Sequence, residues 1–461
     1  MLTRIAGPGG SRSDEGFKMH TPAAAREAQS GRVFEGVTPY HWLVVIIASA
    51  GWLFDCMDQR LFILGRESAL RELLQSDPAA LASIKTHIGY ATTSMILGWA
   101  TGGIIFGMMS DKVGRVKTMV ATLLVYSGFT GLSGIAHSWV DFTLYRFLAG
   151  IGIGGMFGAA TTLVAESVPA AFRAMALGSL QALSALGNII GSLLTLVIPP
   201  GSQSFWGSYA GWRVLFFVGI VPALLVVPIM FVLKEPDSWL KAKADAARGL
   251  SRRNVGSPAE LFRDPRWRRN TIVGLFLGVS GMIGLWGIGF FSPELISTAL
   301  KGAPQNVVDT VRGWGTAFQD VGSFLGMLTF TLVAAFVSRR LAFLGALLLS
   351  MFVTMFVFHS LNSATDAYWM LPMMGFAQLA VFAGYSIYFP ELFPTRLRGT
   401  GVGFCYNTVR YLAAPGPLLF GYLATLMTFR SAAVLMSTVY LVGIVALIWA
   451  PETQGKPLPE D

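Results

Sequence analysis

Four charged side chains stand where a charge is costly. Asp55 and Asp58 fall in the apolar run 42–64, Arg146 in 141–165 and Arg410 in 400–427. A charge held in hydrocarbon costs at least about 2.5–3.5 kcal/mol on insertion scales, so such residues are paired or functional. Asp55 and Asp58, in Trp52-Leu-Phe-Asp55-Cys-Met-Asp58, are three residues apart, which puts both carboxylates on one helix face. Two close acids are not both charged cheaply, so the pair can take up and release a proton near neutral pH. The plainer alternative is that one of them bonds Arg60 at the end of the run. Arg410, in Tyr406-Asn-Thr-Val-Arg410-Tyr411, has no acid in its own run, and its planar fork of donors matches a carboxylate. The plainer alternative there is an ion pair with Asp320 or Glu294.

Softer candidates surround these four. Gln181 and Asn188 are seven residues apart, hence on one face of a helix, and Trp286, Tyr385, Tyr388 and Tyr406 could stack on a ring or line a pocket with polar handles. Trp99, Trp139 and Trp369 are assigned to packing or to the membrane interface. His87, His137 and His359 lie near the ends of apolar runs and receive no proton-relay role. The sequence has no nucleophile–base motif, no phosphate loop and no Cys/His metal spacing, so no catalytic residue, cofactor or metal is expected.

The elements that must hold these residues are apolar helices. Of 461 residues 53% are hydrophobic and 13% charged, about half the charged share of a soluble domain. Runs near the 20 residues needed to cross a bilayer number twelve: 42–64, 87–109, 117–136, 141–165, 175–199, 212–233, 270–300, 312–337, 341–361, 367–390, 400–427 and 430–450. No sustained period-two alternation argues for a barrel. With the N-terminus inside, cytoplasmic segments hold 24 of the 34 Lys and Arg and the opposite loops eight. The positive-inside rule then puts both termini in the cytoplasm and explains the net charge of +9 without nucleic acid. Cys56 and Cys405 lie in apolar runs, which argues against a disulfide framework.

The expected organisation is a cytoplasmic tail 1–41, a six-helix bundle 42–233, a cytoplasmic linker 234–269, a second six-helix bundle 270–450 and a cytoplasmic tail 451–461. The linker carries ten basic residues, and at 36 residues it is too short for a nucleotide-driven pump. Duplication supports the division. Glu166…Pro169…Arg173 and Glu391…Pro394…Arg398 share the pattern E-x-x-P-x-x-x-R at a separation of 225. Paired halves are how many carriers build one site at the membrane midplane.

Between the second and third runs stands Gly107-Met-Met-Ser-Asp111-Lys-Val-Gly114-Arg115-Val-Lys117. Glycines permit a tight turn there, and Asp111 can bond a neighbouring helix end or an arginine. The stretch resembles the loop signature of the major facilitator superfamily, with only Ser338-Arg339-Arg340 left of a second copy. Tyr145-Arg146 with Gly150, Gly152 and Gly154, the Glu166–Arg173 and Glu391–Gly399 stretches, Ser292-Pro293-Glu294 and Pro451-Glu452-Thr453-Gln454-Gly455 are similar to the sugar porter, aromatic acid/proton symporter and organic anion carrier clan.

That resemblance implies an all-α fold of twelve membrane helices in two six-helix bundles, working as a monomeric multi-pass carrier in the cell or inner membrane. It implies that Asp58 carries the proton, with Asp55 completing a D-x-x-D pattern and Arg146 facing it. It also implies that Arg410 holds a substrate carboxylate, with Gly107, Asp111, Gly114, Arg115, Glu166, Arg173, Glu391 and Arg398 forming the gating loops. Where sugar porters carry paired glutamines the chain has Ser280 and Gly281, and Phe382-Ala383-Gly384-Tyr385-Ser386 replaces their tryptophan motif, which disfavours a hexose. The expected partners are the bilayer, protons and a small organic anion. The alternatives are a facilitator or proton-coupled exporter of a neutral, sugar-like or amphipathic solute and, more remotely, a receptor-like sensor.

Overall fold

In lipid, each backbone N–H and C=O must find its partner within the spanning segment, and this chain answers with helices. The computed structural model describes residues 33–248, 255–414, 419–420, 423 and 426–460. Most of the tail 1–41, part of the linker and the Pro415-Gly416-Pro417 stretch lie outside the described residues. Among the described residues the β structure is one isolated bridge, Trp206 to Tyr209.

The first half contains α1 (Pro39–Leu73), α2 (Ile84–Val113), α3 (Arg115–Ser133), α4 (Trp139–Ser167), α5 (Ala170–Ala182), α6 (Ser184–Val197), α7 (Gly211–Val218) and α8 (Val226–Val232). After a polar helix, α9 (Asp237–Ala247), follow α10 (Pro265–Met282), α11 (Ser292–Ala299), α12 (Gln305–Phe336), α13 (Arg339–Ser360), α14 (Ala364–Leu392), α15 (Arg398–Ala413), α16 (Phe429–Met436) and α17 (Tyr440–Ala446). Nine helices among the described residues are long and apolar enough to cross a membrane. The other three expected spans are absent from that set for legible reasons. α3 opens on Arg115 and Lys117, and α15 ends at Ala413 next to residues outside the description. The seventh span is broken by a π-helical stretch, Ile283–Ile288, and a 3-10 turn between α10 and α11.

The duplication extends to helix caps. Ser138 and Asp141 cap α4 reciprocally, backbone N–H to side chain at 3.1 Å in both directions, and Ser363 and Asp366 do the same for α14. These boxes stand 225 residues apart and satisfy amides that a helix start leaves without partners.

The two halves meet mainly along α2 and α15, α5 and α12, and α5 and α14. The α2–α15 contact depends on bare backbone. A Cβ at Gly107 would lie 2.7 Å from the Gly399 carbonyl, and one at Gly403 would lie 2.4 Å from that of Gly103. Only glycine permits this approach. Gly403→Val should therefore force the two helices apart at the end of the bundle that carries the tails. A cysteine replacing Ser110, which is fully buried beside this seam, should then react with maleimide several times faster. Unchanged labelling would show that the seam does not hold that end shut.

Candidate functional site

α1 brings Asp55 and Asp58 to the interior of the bundle, each 0% exposed. Asp58 Oδ2 lies 3.7 Å from Arg146 Nη1, a looser contact than an ideal ion pair. Arg146 is otherwise well held: its Nε donates to Ser133 Oγ at 3.0 Å, its Nη2 to the Phe129 carbonyl at 3.3 Å, and the Phe216 ring sits 4.9 Å away. The Arg146 guanidinium is thus fixed by α3 and α7, and Asp58 is free to engage or release it. Asp55 differs, because neither of its oxygens has a hydrogen-bond partner within the chain.

Arg410 reaches the same region from α15, 3% exposed. Its guanidinium lies 3.5 Å from the ring centre of Trp99 and 5.0 Å from that of Tyr406, and its Nε makes one long bond, 3.4 Å, to Asn407 Oδ1. No carboxylate of the described residues lies within ion-pair distance of it; the acid whose field it shares is Asp55. Trp99 in turn meets Trp286 edge to face at 6.3 Å, across the two halves. Tyr406 stacks on Phe157 at 3.8 Å, and Trp52 packs on Phe157 at 5.1 Å. A guanidinium on an indole face keeps part of its electrostatic stabilisation without an anion, so Arg410 can wait there uncompensated.

The plainer pairings do not form. Arg60 is bound to Asp320 of α12 at 2.8 Å, so it does not occupy either α1 carboxylate, and Asp320 does not occupy Arg410. Glu294 is exposed. The Arg60–Asp320 pair joins the halves at the end opposite the tails.

Of the softer candidates, Gln181 is buried with its Oε1 lacking a partner, and Asn188 is half-buried one helix further on, beyond the break between α5 and α6. Trp286 stands in the π-helical stretch, a local form common at functional sites. Tyr385 touches Tyr406 with its ring at 6.2 Å, but its hydroxyl donates to the Leu277 carbonyl at 2.7 Å, so it ties α14 to α10. Tyr388 is likewise tied to the Pro451 carbonyl at 2.6 Å. Trp99 is the main correction. Assigned to packing or interface by its place in an apolar run, it is instead the platform for Arg410. Nothing local marks it, because α2 and α15 are brought together only by the glycines above. The indole N–H groups of Trp52 and Trp99 and the Tyr126 hydroxyl are buried without partners in the chain, a concentration of idle donors that soluble cores avoid.

At the tail-bearing end the loop motifs form two matching clusters. Arg115 donates to Glu166 at 2.9 and 3.0 Å and to the Ser110 carbonyl; Arg339 donates to Glu391 at 3.2 and 3.0 Å and to the Ala334 carbonyl. Arg173 and Arg398 each reach back with Nε, 3.0 Å in both cases, to the carbonyls of Ala165 and Pro390. Glu235 accepts from the amides of Arg115, Val116 and Lys117 at the start of α3, and Glu452 from those of Arg339 and Arg340 at the start of α13. Ser338-Arg339-Arg340 is therefore a working counterpart of the first loop. Gly114, at φ 134°, leaves room for Glu235, which a Cβ would meet at 2.3 Å.

The clusters differ in what crosses between halves. Asp111 accepts from the amides of Gly399 and Thr400 at 3.0 and 2.7 Å and from the Thr400 hydroxyl at 2.7 Å, besides pairing with Arg115 at 3.2 Å. It thereby binds the positive N-terminus of α15. Arg398 pairs with Glu166 across the seam, and Arg115 donates to the Thr395 carbonyl at 2.7 Å. This end is latched shut.

Burial pushes the Glu452 carboxyl up, but the bonds it accepts from Ser338 and from the amides of Gln454, Arg339 and Arg340 outweigh that and hold it below its usual range. Its stabilising effect is therefore present above the ordinary carboxylate range and lost as pH falls through the lowered value. Glu452→Gln should lower stability by about 1 kcal/mol at neutral pH. The difference in Tm from the parent should shrink below about pH 4, and a difference independent of pH would contradict the assignment.

Acids and arginines buried midway along a two-part bundle of apolar helices, with a charged latch at one end, define a membrane carrier. The chain belongs to the Major Facilitator Superfamily, whose profile matches residues 67–415. It is an integral membrane transporter of that superfamily for a small-molecule substrate, not an enzyme. It is similar to the cis,cis-muconate transport protein of Acinetobacter baylyi, 29% identical over 82% of this chain and 90% of that protein. It is also similar to the sialic acid transporter of Escherichia coli (strain K12), 28% identical over 85% of this chain and 88% of that one. Among solved structures, a proton:xylose symporter bound to 6-bromo-6-deoxy-D-glucose shares the fold with a TM-score of 0.71 and 19% identity, covering 91% of this chain and 98% of that one.

Proposed function

We propose that this carrier moves a small organic anion by alternating access, in symport with protons. The observation that carries the reading is Arg410. It is a buried guanidinium with no ion partner among the described residues, resting on Trp99 and sharing its surroundings with an unpartnered Asp55. The similarity to carriers named for cis,cis-muconate and sialic acid, both carboxylates, supports the same substrate class here.

In this reading the substrate carboxylate takes the fork of Arg410, while Tyr406, Trp286 and Gln181 border its body and Asn188 lies further along the same wall. Tyr385 contributes through its ring alone. Asp58 carries the proton. When neutral it lets go of Arg146; when charged it returns to it, and Asp55 adjusts the exchange from one turn away. Such a pair converts a local charge change into a bias between two packings of the bundle. The latch of Gly107, Asp111, Gly114, Arg115, Glu166, Arg173, Glu391 and Arg398 opens to release substrate on the tail side, which the basic loops make cytoplasmic. The working unit is one chain of twelve spans in the cell or inner membrane. Residues 42–233 and 270–450 form its two bundles, with 1–41, 234–269 and 451–461 in the cytoplasm.

Two uptake measurements in proteoliposomes test the roles. Asp58→Asn should abolish uphill accumulation of cis,cis-muconate while retaining counterflow exchange, since a permanently neutral side chain mimics the loaded state. Accumulation driven normally by a pH gradient would end the assignment. Arg410→Lys keeps the charge and loses the fork, and should weaken anion binding by about 1–3 kcal/mol. Unchanged affinity would favour the facilitator of a neutral solute.

A further inference from the structure

A groove of about 710 Å³ runs between α10 and α17 on the surface the bundle turns toward lipid. Its walls are apolar, with Ile272, Phe276, Val445 and Trp449 all exposed along it. Its tail-side end carries Arg268 and Arg269. Arg269, Ile272 and Phe276 stand three, four and seven residues apart, hence on one face of α10. The charged end and the apolar trough are therefore one continuous surface.

These two arginines are unlike their neighbours. Arg115, Arg339, Arg396 and Arg398 at the same end each meet a carboxylate, and Arg266 lies over the Trp267 ring. Arg268 and Arg269 are exposed, and among the described residues neither meets a carboxylate within 4.0 Å. Arg269 is aimed by one bond, from its Nε to the Trp449 carbonyl at 2.8 Å, which leaves its two terminal nitrogens available at the mouth of the groove. Trp449, more than half exposed, has the amphipathic character of an interfacial anchor.

We propose that this groove binds one anionic glycerophospholipid, its phosphate on Arg268 and Arg269 and an acyl chain along Ile272, Phe276 and Val445. The charge is complementary, the trough accepts hydrocarbon, and the step between them falls where a bilayer changes from headgroup to chain. Basic pockets between helix ends are general receptors for anionic headgroups. By fastening α17 to α10, the lipid would stiffen a joint where the last span is broken into short helical pieces at Ser437–Val439. The site is independent of the transport reading.

The test uses the purified full-length protein in phosphatidylcholine nanodiscs titrated with phosphatidylglycerol, with bound lipid counted by native mass spectrometry after release. One phosphatidylglycerol should be retained in preference to phosphatidylcholine. Arg268→Gln and Arg269→Gln should each weaken retention about fivefold, the effect of one basic side chain at a charged surface. Val445→Trp, which fills the trough and leaves both arginines in place, should also lose the lipid with its helical circular dichroism intact. Equal retention of the two lipids would overturn the proposal. So would unaltered retention in the double arginine variant, or displacement of the lipid by millimolar inorganic phosphate alone, which would assign the arginines to a soluble anion.

Discussion

Arg410 and Asp55 are both buried, both lack an ion pair, and lie close enough to feel each other. Hydrocarbon tolerates such a condition only where a fixed polar arrangement stands in for solvent. Much of the surrounding structure serves that requirement. Trp99 offers its face to the guanidinium, Tyr406 and Asn407 flank it, and Trp286 braces Trp99 from the other half. These four residues come from α2, the broken seventh span and α15, so the arrangement exists only while the halves are joined at this level. A ligand that brings a carboxylate to Arg410 changes the most costly interaction in the bundle, and with it the balance between packings.

The second acid, Asp58, has the opposite circumstance. Its arginine is already supported by Ser133, the Phe129 carbonyl and two aromatic rings. Removing the charge of Asp58 therefore leaves Arg146 tolerably satisfied, whereas a buried arginine without such support would destabilise the fold by about 3–5 kcal/mol. That difference suits a group that must change charge in every cycle. The latch at the tail-bearing end works by other means: its ion pairs are multiple, short and shared, and Asp111 adds the amides of a helix N-terminus. Such a latch releases as a unit, because its members share partners.

The fold was legible where lipid imposes its own rules. Apolar length located the spans, and the Glu…Pro…Arg repeat announced the two clusters whose side chains superpose bond for bond. The chemistry of Asp58 beside Arg146 was legible from type and position. Trp99 was not, since its value lies in a neighbour more than 300 residues away, reached through glycine contacts between α2 and α15. The fate of Asp320 was equally hidden, because Arg60 and Arg410 are both plausible partners by depth and only the assembled bundle distinguishes them. The break at Ile283–Ile288 could be suspected from Gly281, Gly284, Gly287 and Gly289, but its π form follows from packing against Tyr440 and Gln378.

The central claim is that Arg410 waits on Trp99 for a substrate carboxylate rather than holding the protein together. Thermal unfolding of Arg410→Ala, with and without a carboxylate ligand such as cis,cis-muconate, addresses it directly. The account predicts that the variant without ligand melts within a few degrees of the parent, because no protein acid is stranded, and that the carboxylate no longer raises its Tm. A large fall in the ligand-free Tm together with a ligand shift as large as the parent's would mean that Arg410 is a structural charge and that the anion binds elsewhere.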